Sequence, residues 1–268
     1  MKITGTTIIV GIVGTPIVQV KMPALVNPVF EAKGRDFVHI PIDVKPEGLK
    51  AFVETMRNWL NFRGVVVTVP YKQAFVPYLD TLTDRARVLN AVNVIRRDQD
   101  GTLHGDAQDG VGFVAALGSK GVKLAGKRVA VVGAGGVATA ISYSLGEAGV
   151  AEIAIQDVDA RKQDLLLSTL RKAFPSIALK SGIASVDGVD VLVNGTPVGM
   201  NGDPNLPLPV AVLAGLTSST VVADVVTMPA VTPFLQFAMD RGCLTQPGVD
   251  LAAAQLETLH GFMNVPTV

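Results

Sequence analysis

Cysteine is almost missing from this chain. Cys243 stands alone, which excludes an internal disulfide and a cysteine metal cluster. Histidine is scarce as well: His39, His104 and His260 share no metal-ligand spacing, so no metal is expected. Charge of either sign is thin, at 17% of residues, and 23 Lys and Arg balance 23 Asp and Glu. That balance removes the electrostatic footprint of a nucleic-acid binder or of a protein drawn to an anionic membrane. No apolar run reaches transmembrane length, and the N-terminus lacks a signal-peptide pattern. A cytoplasmic location is therefore expected, with neither nucleic acid nor membrane as partner. What is present is 268 residues, 49% of them hydrophobic. Such a lean surface suits an α/β protein with buried parallel strands, and the length suits two modest domains. The apolar fraction also permits a homodimer.

The most informative stretch runs from Lys127 to Asp157. RVAVVG is a β-branched run of the kind that a strand buried on both faces needs. GAGGVA follows and fits G-x-G-x-x-A with Gly133, Gly135 and Ala138; Ala134, Gly136 and Val137 fill the remaining places. Gly133 permits the sharp turn out of the strand, Gly135 lets backbone approach a pyrophosphate, and Ala138 lets the helix lie close on the sheet. The helix N-terminus that follows offers N–H groups to that pyrophosphate. A second strand, EIAIQD, ends in Asp157 at about the expected spacing of twenty residues. A carboxylate there accepts hydrogen bonds from the ribose hydroxyls of NAD and repels the 2′-phosphate of NADP, so NAD is the expected cofactor. Arg161 follows closely and would soften that discrimination. The bland role for Asp157, capping the next helix, falls better to Asp159.

Ahead of this unit, residues 6–14 read as a buried strand that breaks at Gly14-Thr15-Pro16. Met22, Leu25, Val26, Val29 and Phe30 then fall at helical spacing, and Gly34 ends that helix. DFVHIPIDV is a second strand, in which His39 alternates as a packed or surface residue. Pro46-Glu47 opens a helix whose stripe is Leu49, Phe52, Val53, Met56, Trp59 and Leu60, which places Trp59 in the core. VVVTV is a third strand, and the alternation of strands with helices argues for a mainly parallel sheet. Val69-Pro70-Tyr71-Lys72 leaves it at the carboxyl end, where open α/β sheets place ligands. After a polar, turn-like stretch, AVNVIRR and TLHGD make a hairpin turning at Asp100-Gly101. GVGFVAALGSKG is an amphipathic helix leading into the cofactor domain. Beyond Asp157 come a helix to about Phe174, the strand and loop of VDVLVNGTPVGM, and the strand TVVADVV ending at Asp224. Residues 201–210 have the composition of a mobile loop. The helix in TPFLQFAMDRG and an alanine-rich helix, GVDLAAAQLETLHGF, complete the chain.

Taken in order, these stretches resemble the shikimate/quinate dehydrogenase family over nearly the whole chain. GIVGTPI is similar to the family's opening G-x-x-G-x-P-I, and VTVPYK to N-V-T-x-P-x-K. AVNVI, GDAQDG, GAGGVA and NGTPVGM follow, then D-V-V-x-x-P-x-x-T from Asp224 to Thr232 and G-x-x-x-L-x-x-Q from Gly248 to Gln255. The resemblance implies an N-terminal α/β substrate domain (1–109 plus 246–268) and a Rossmann domain (110–245), with the last helix returning to the first domain. It implies reversible hydride transfer between the C3 hydroxyl of a small cyclic polyol or hydroxy acid and a nicotinamide. Lys72 and Asp109 would be the catalytic pair, since oxidising an alcohol requires a group to hold the hydroxyl and relay its proton. Thr68, Asn93 and Gln255 would hydrogen-bond ring hydroxyls. Asn194, Thr196, Pro197, Val225 and Gly248 would join the glycine turn around the cofactor.

The departures bear on substrate. The family's carboxylate-binding Ser-x-Ser falls just before Pro23, and here those positions are Val20 and Met22. A carboxylate placed there would meet apolar side chains, at a cost of about 1–3 kcal/mol per unpaired contact. Val66 replaces the Asn of N-V-T-x-P-x-K, Thr227 replaces the Tyr of D-x-x-Y, and Ala107-Gln108 replace Asn-Thr before Asp109. The hydride-transfer half therefore reads as intact behind a rewritten acid-recognition end. Either shikimate and quinate are poor substrates, or the true substrate lacks or repositions the carboxylate. A rival class is a non-enzymatic NAD-binding regulator on the same scaffold, against which the retention of Lys72 and Asp109 argues. A methylene-tetrahydrofolate-type dehydrogenase is disfavoured by the TVPYK and GDAQDG stretches.

Overall fold

The computed structural model describes residues 2–266. The chain divides into two compact units, one of residues up to Gln108 together with those from Leu256 on, the other Asp109–Gln255. The elements in chain order are β1 (Ile8–Gly14), α1 (Met22–Ala32), β2 (Phe37–Asp43), α2 (Leu49–Asn58), β3 (Phe62–Val67), β4 (Thr81–Leu82), α3 (Asp84–Leu89), β5 (Val94–Arg97) and β6 (Leu103–Asp106). They continue with α4 (Asp109–Ser119), β7 (Arg128–Val132), α5 (Gly136–Glu147), β8 (Glu152–Gln156), α6 (Ala160–Ala173), β9 (Ala178–Ser181) and β10 (Val191–Asn194). The last are α7 (Val210–Leu213), β11 (Val221–Asp224), α8 (Pro233–Met239), β12 (Leu244–Gln246) and α9 (Gly248–Phe262). Among the described residues, no helix is long and apolar enough to cross a membrane.

In the first unit the strand order is β2-β1-β3-β5-β6-β4. β1 runs parallel to both neighbours, while β5 is antiparallel to β3 and β6, as the expected hairpin requires. Val10 and Val13 are fully buried, because β1 lies in mid-sheet with apolar layers on both faces. On one face α2 buries Leu49, Val53 and Met56, one stripe at helical spacing. On the other, Val26 and Phe30 of α1 pack with Leu259 and Met263, so the end of α9 closes this core.

The stripe on α2 is shorter than its periodicity suggests. The helix stops at Asn58, so Trp59 turns aside, stacks on Phe62 at 5.0 Å and is only partly buried. Leu60, beyond the helix, is 85% exposed. The stretch between Lys72 and Ala91, read as turn-like, contains β4 and α3; Thr83 caps α3 by accepting the Ala86 N–H.

The second unit is an all-parallel sheet in the order β12-β11-β10-β7-β8-β9, the doubly wound arrangement with its switch point between β7 and β10. α5 lies on it through Ala138, Ile141 and Leu145, all fully buried. Residues 201–210, expected as a mobile loop, are anchored by Leu208, which is 2% exposed in the core beneath β10 and β11. The return to the first unit comes inside α9 at Leu256, ten residues later than the boundary expected at 246. Gly248 to Gln255 stay with the second unit because Leu251 packs into its core, whereas Leu259 packs into the other.

Candidate functional site

The second unit carries two cavities that share the glycine turn. The first, of about 440 Å³, is lined by Gly135, Gly136 and Val137 at the start of α5, by Thr196 and Pro197 after β10, and by Val225 to Thr227 after β11. Gly248 and Leu251 of α9 complete it, with Asp109 and Gln255. The second, of about 410 Å³, runs from Gly133 and Gly135 to Asp157, Val158 and Lys162. Thr196 and Pro197 line both.

The glycine turn has the geometry that its sequence demands. Gly133 has φ +107°, and a side chain there would press on Thr196 and on the Gly195 carbonyl at about 3.0–3.1 Å. At Gly135 and Gly136 a Cβ would meet nothing within 4 Å, so the space in front of α5 is open. No side chain caps this helix. Its first N–H groups therefore face that space, a fit for a pyrophosphate. Ala138 does not reach the cavity; it is fully buried, and a Cβ on Gly195 would come within 2.7 Å of its own.

Asp157 ends the run from β8 and lines the second cavity. Its Oδ2 accepts the Ala134 N–H at 2.5 Å and its Oδ1 accepts the Asp159 N–H at 2.8 Å. The cap of α6 is Asp159, which accepts the Arg161 N–H. Arg161 is exposed and lines neither cavity; Lys162 lines the one beside Asp157. Val158, fully exposed next to Asp157, is the further lining residue that hydrophobic pattern alone would assign to no role.

Asp109 opens α4, and Gln255 Nε2 donates to its Oδ1 at 2.6 Å. The close approach of α4 and α9 depends on Gly112, where a side chain would sit 2.8 Å from Gln255 Cα. Asn194 lies beneath the cavity rather than in its wall and is wholly buried.

In the first unit, Thr68 follows β3 and its N–H donates to Val13. Lys72 lies one turn on, where its carbonyl accepts the Val92 N–H at 2.8 Å. Asn93, 2% exposed, ties the same region together: its carbonyl accepts from Val67, and its side-chain Oδ1 accepts the Gln108 N–H at 2.6 Å. Thr68, Lys72 and Asn93 thus gather at the carboxyl ends of the parallel strands. One residue there gave little sequence signal. Asp106, 1% exposed, accepts from Thr83, Arg85 and the Gln108 amide at 2.5–2.9 Å. It anchors Gln108 immediately before Asp109.

Val20 and Met22 are partly buried and pack on the cluster of Val10, Ile12, Phe30 and Leu259. Val66 belongs to that cluster and is 5% exposed. Three positions where hydroxyl or amide groups were expected therefore adjoin one continuous apolar layer.

The profile of the shikimate dehydrogenase substrate binding domain matches residues 12–95. A shikimate dehydrogenase (NADP(+)) of Rubrobacter xylanophilus is 35% identical over 255 residues, covering 92% of this chain and 87% of the relative. The ligand-free 5-ketofructose reductase of Gluconobacter sp. strain CHM43 has a TM-score of 0.90 at 33% identity, covering 98% of this chain and 94% of that one. A shikimate 5-dehydrogenase from Listeria monocytogenes, in complex with shikimate and NAD, also has a TM-score of 0.90, at 29% identity over 100% of this chain and 95% of that one.

Proposed function

This chain belongs to the shikimate dehydrogenase family, and from that premise we propose that it reduces and oxidises a polyhydroxylated substrate lacking the usual carboxylate, with NAD preferred. At the coarser level it is an oxidoreductase that uses a nicotinamide dinucleotide. The observation that carries the substrate reading is the packing of Val20 and Met22 on an apolar core, where a carboxylate would find no donor from either side chain. The likeness to a 5-ketofructose reductase supports it, because 5-ketofructose is a neutral polyhydroxy ketone. A shikimate-like ring remains the other member of the substrate class, used with reduced efficiency.

The NAD preference rests on Asp157. Its carboxylate lines the cavity beside the glycine turn, and a 2′-phosphate there would be repelled. The Rubrobacter relative carries NADP(+) in its name, whereas the Listeria structure holds NAD, so the family spans both.

A nicotinamide dinucleotide held at the glycine turn would supply the hydride acceptor in the oxidising direction and the hydride donor in the reducing one. The chain's own work is to place the substrate and move one proton. In oxidation, the role assigned to the Lys72 amine is to take the hydroxyl proton as hydride leaves the same carbon, and that assigned to Asp109 is to hold the hydroxyl. In reduction the ammonium returns that proton to the developing alkoxide. Gln255 Nε2 donates to Asp109 Oδ1 and so fixes the orientation of that carboxylate. Thr68 and Asn93 orient the remaining hydroxyls. This pair favours an enzyme over a regulatory dinucleotide binder, which would have no use for it.

The test is a comparison of kcat/KM for 5-ketofructose and related neutral polyols, shikimate and quinate, each with NAD(H) and NADP(H). The expected order places a neutral polyhydroxy substrate first and NAD(H) ahead of NADP(H). Efficient NADP-linked shikimate turnover would overturn both halves of the proposal.

A further inference from the structure

Asp224, at the end of β11, is 1% exposed, yet it lines neither cavity. Three donors hold its carboxylate: Asn194 Nδ2 and the Val226 N–H on Oδ1, each at 3.0 Å, and Thr232 Oγ1 on Oδ2 at 2.7 Å. Asn194 and Thr232 are themselves fully buried. Burial pushes the Asp224 carboxyl above its ordinary range, against the downward pull of those donors. A buried carboxylate is an expensive way to join two strands when a neutral group could do so.

The arrangement has a direction that a neutral group would not enforce. An ionised carboxylate only accepts hydrogen bonds, so Asn194 must turn its Nδ2 toward Asp224. Its Oδ1 then faces the other way and accepts both the N–H and the hydroxyl of Thr196, at 3.1 and 2.6 Å. With its proton committed, Thr196 Oγ1 accepts the Val198 N–H at 3.2 Å, while the second hydrogen of Asn194 Nδ2 reaches the Val198 carbonyl at 3.1 Å. The same carboxylate holds Val226. Both loops on that side of the 440 Å³ cavity, 195–198 and 225–227, are therefore tied to one buried carboxyl group.

We infer that Asp224 is a positioning residue for the nicotinamide end of the cofactor, acting through Asn194 and Thr196 on one loop and through Val226 on the other. This rests on the proposed function: with Asp109 at the reacting hydroxyl, the cavity it lines receives the nicotinamide, and the cavity lined by Asp157 receives the adenosine end. The ends of the motif running from Asp224 to Thr232 thereby gain a physical role: Thr232 steadies the carboxylate from the first turn of α8, where its hydroxyl also accepts the Leu235 N–H.

The experiment uses the full chain and compares two ligands by calorimetry. NADH spans both cavities; ADP-ribose reaches the glycine turn and Asp157 but has no nicotinamide. In Asp224→Asn, whose amide lets Asn194 reverse, NADH affinity is expected to fall by about tenfold or more, with ADP-ribose affinity changing by less than about threefold. Thr232→Val is expected to show the same selective loss, smaller in size, and Thr232→Ser to restore it. If Asp224→Asn does not fold, the Thr232 pair carries the test. Equal weakening of both ligands would reduce Asp224 to a general structural role and overturn the inference, as would unchanged affinity for both. Because binding is read without substrate, a failure of the substrate reading appears only in turnover and is separable.

Discussion

Asp157 accepts the backbone N–H of Ala134 at 2.5 Å, joining the tip of β8 to the glycine turn after β7. The residue that should select the cofactor is therefore also a strut of the turn that should hold its pyrophosphate. Replacing it cannot simply exchange one cofactor for another. In Asp157→Ala, NAD affinity should fall by about 1.5–3 kcal/mol, the range for hydrogen bonds to a charged group. NADP should gain from the lost repulsion but lose from the slackened turn, so the NAD preference should shrink without efficient NADP use. Steady-state kinetics with both cofactors measure this; an unchanged ratio would remove Asp157 from cofactor selection.

The apolar layer beneath Val20 and Met22 gives a second expectation. Val20→Ser combined with Met22→Ser should raise kcat/KM for shikimate relative to a neutral polyol by about tenfold or more, since two hydroxyl donors are worth about 1 kcal/mol each. The double variant should also melt a few degrees lower, because both side chains leave a partly buried apolar surface. A fall in melting temperature with no change in substrate ratio would show that the carboxylate seat lies elsewhere.

For the proton-transfer pair, Lys72→Ala or Asp109→Asn should lower kcat by about 10²–10⁴ while leaving cofactor affinity nearly unchanged. Gln255→Leu removes the 2.6 Å donor from Asp109 and should cost less, about tenfold in kcat. Turnover that survives the loss of both Lys72 and Asp109 would place the chemistry on other groups.

His39 and His260 give a pH dependence that belongs to folding rather than to catalysis. Their rings lie 6.1 Å apart in the first unit's core, and His260 also stacks on Phe30 at 5.7 Å. Neither ring nitrogen of His39 has a hydrogen-bond partner among the described residues. Burial, with the other histidine's charge, pushes His39 down to about 3, and burial pushes His260 down to about 4 against a smaller opposing pull from the Pro266 carbonyl. Both folded-state values lie below the ordinary 6.5, so the unfolded chain binds more protons as the pH falls. Stability should be level above about pH 7 and decline below 6.5, with a slope of about 1.4 kcal/mol per pH unit for each histidine until the folded values are reached. Denaturant midpoints between pH 8 and 4.5 measure the slope. His39→Leu should flatten it by about half, and an unchanged slope would assign the acid sensitivity to other groups.

Much of this molecule could be read from local pattern. Gly133 had to be glycine for a turn at φ +107°, and Ala138 had to be small for α5 to meet the sheet; both requirements are local. Elements shorter than a few residues escaped, because β4 and β12 are too brief to show a period and draw their definition from the strands beside them. Leu60 was misplaced for a related reason: the apolar spacing continues past Asn58, but the helix does not, and Leu60 is exposed while Trp59 still packs on the core from the edge.

The order of residues alone determined the two-sheet α/β plan, the dinucleotide turn, the acid at position 157 and the loss of hydroxyls at positions 20 and 22, because each is a property of side chains or of short backbone runs. Only the tertiary structure decided that Gln255 donates to Asp109, 146 positions away, that two buried histidines meet in one core, and that Asp224 bonds to both Asn194 and Val226. Those relations arise where separate strands and helices converge, and a donor finds its acceptor there by packing rather than by distance along the chain.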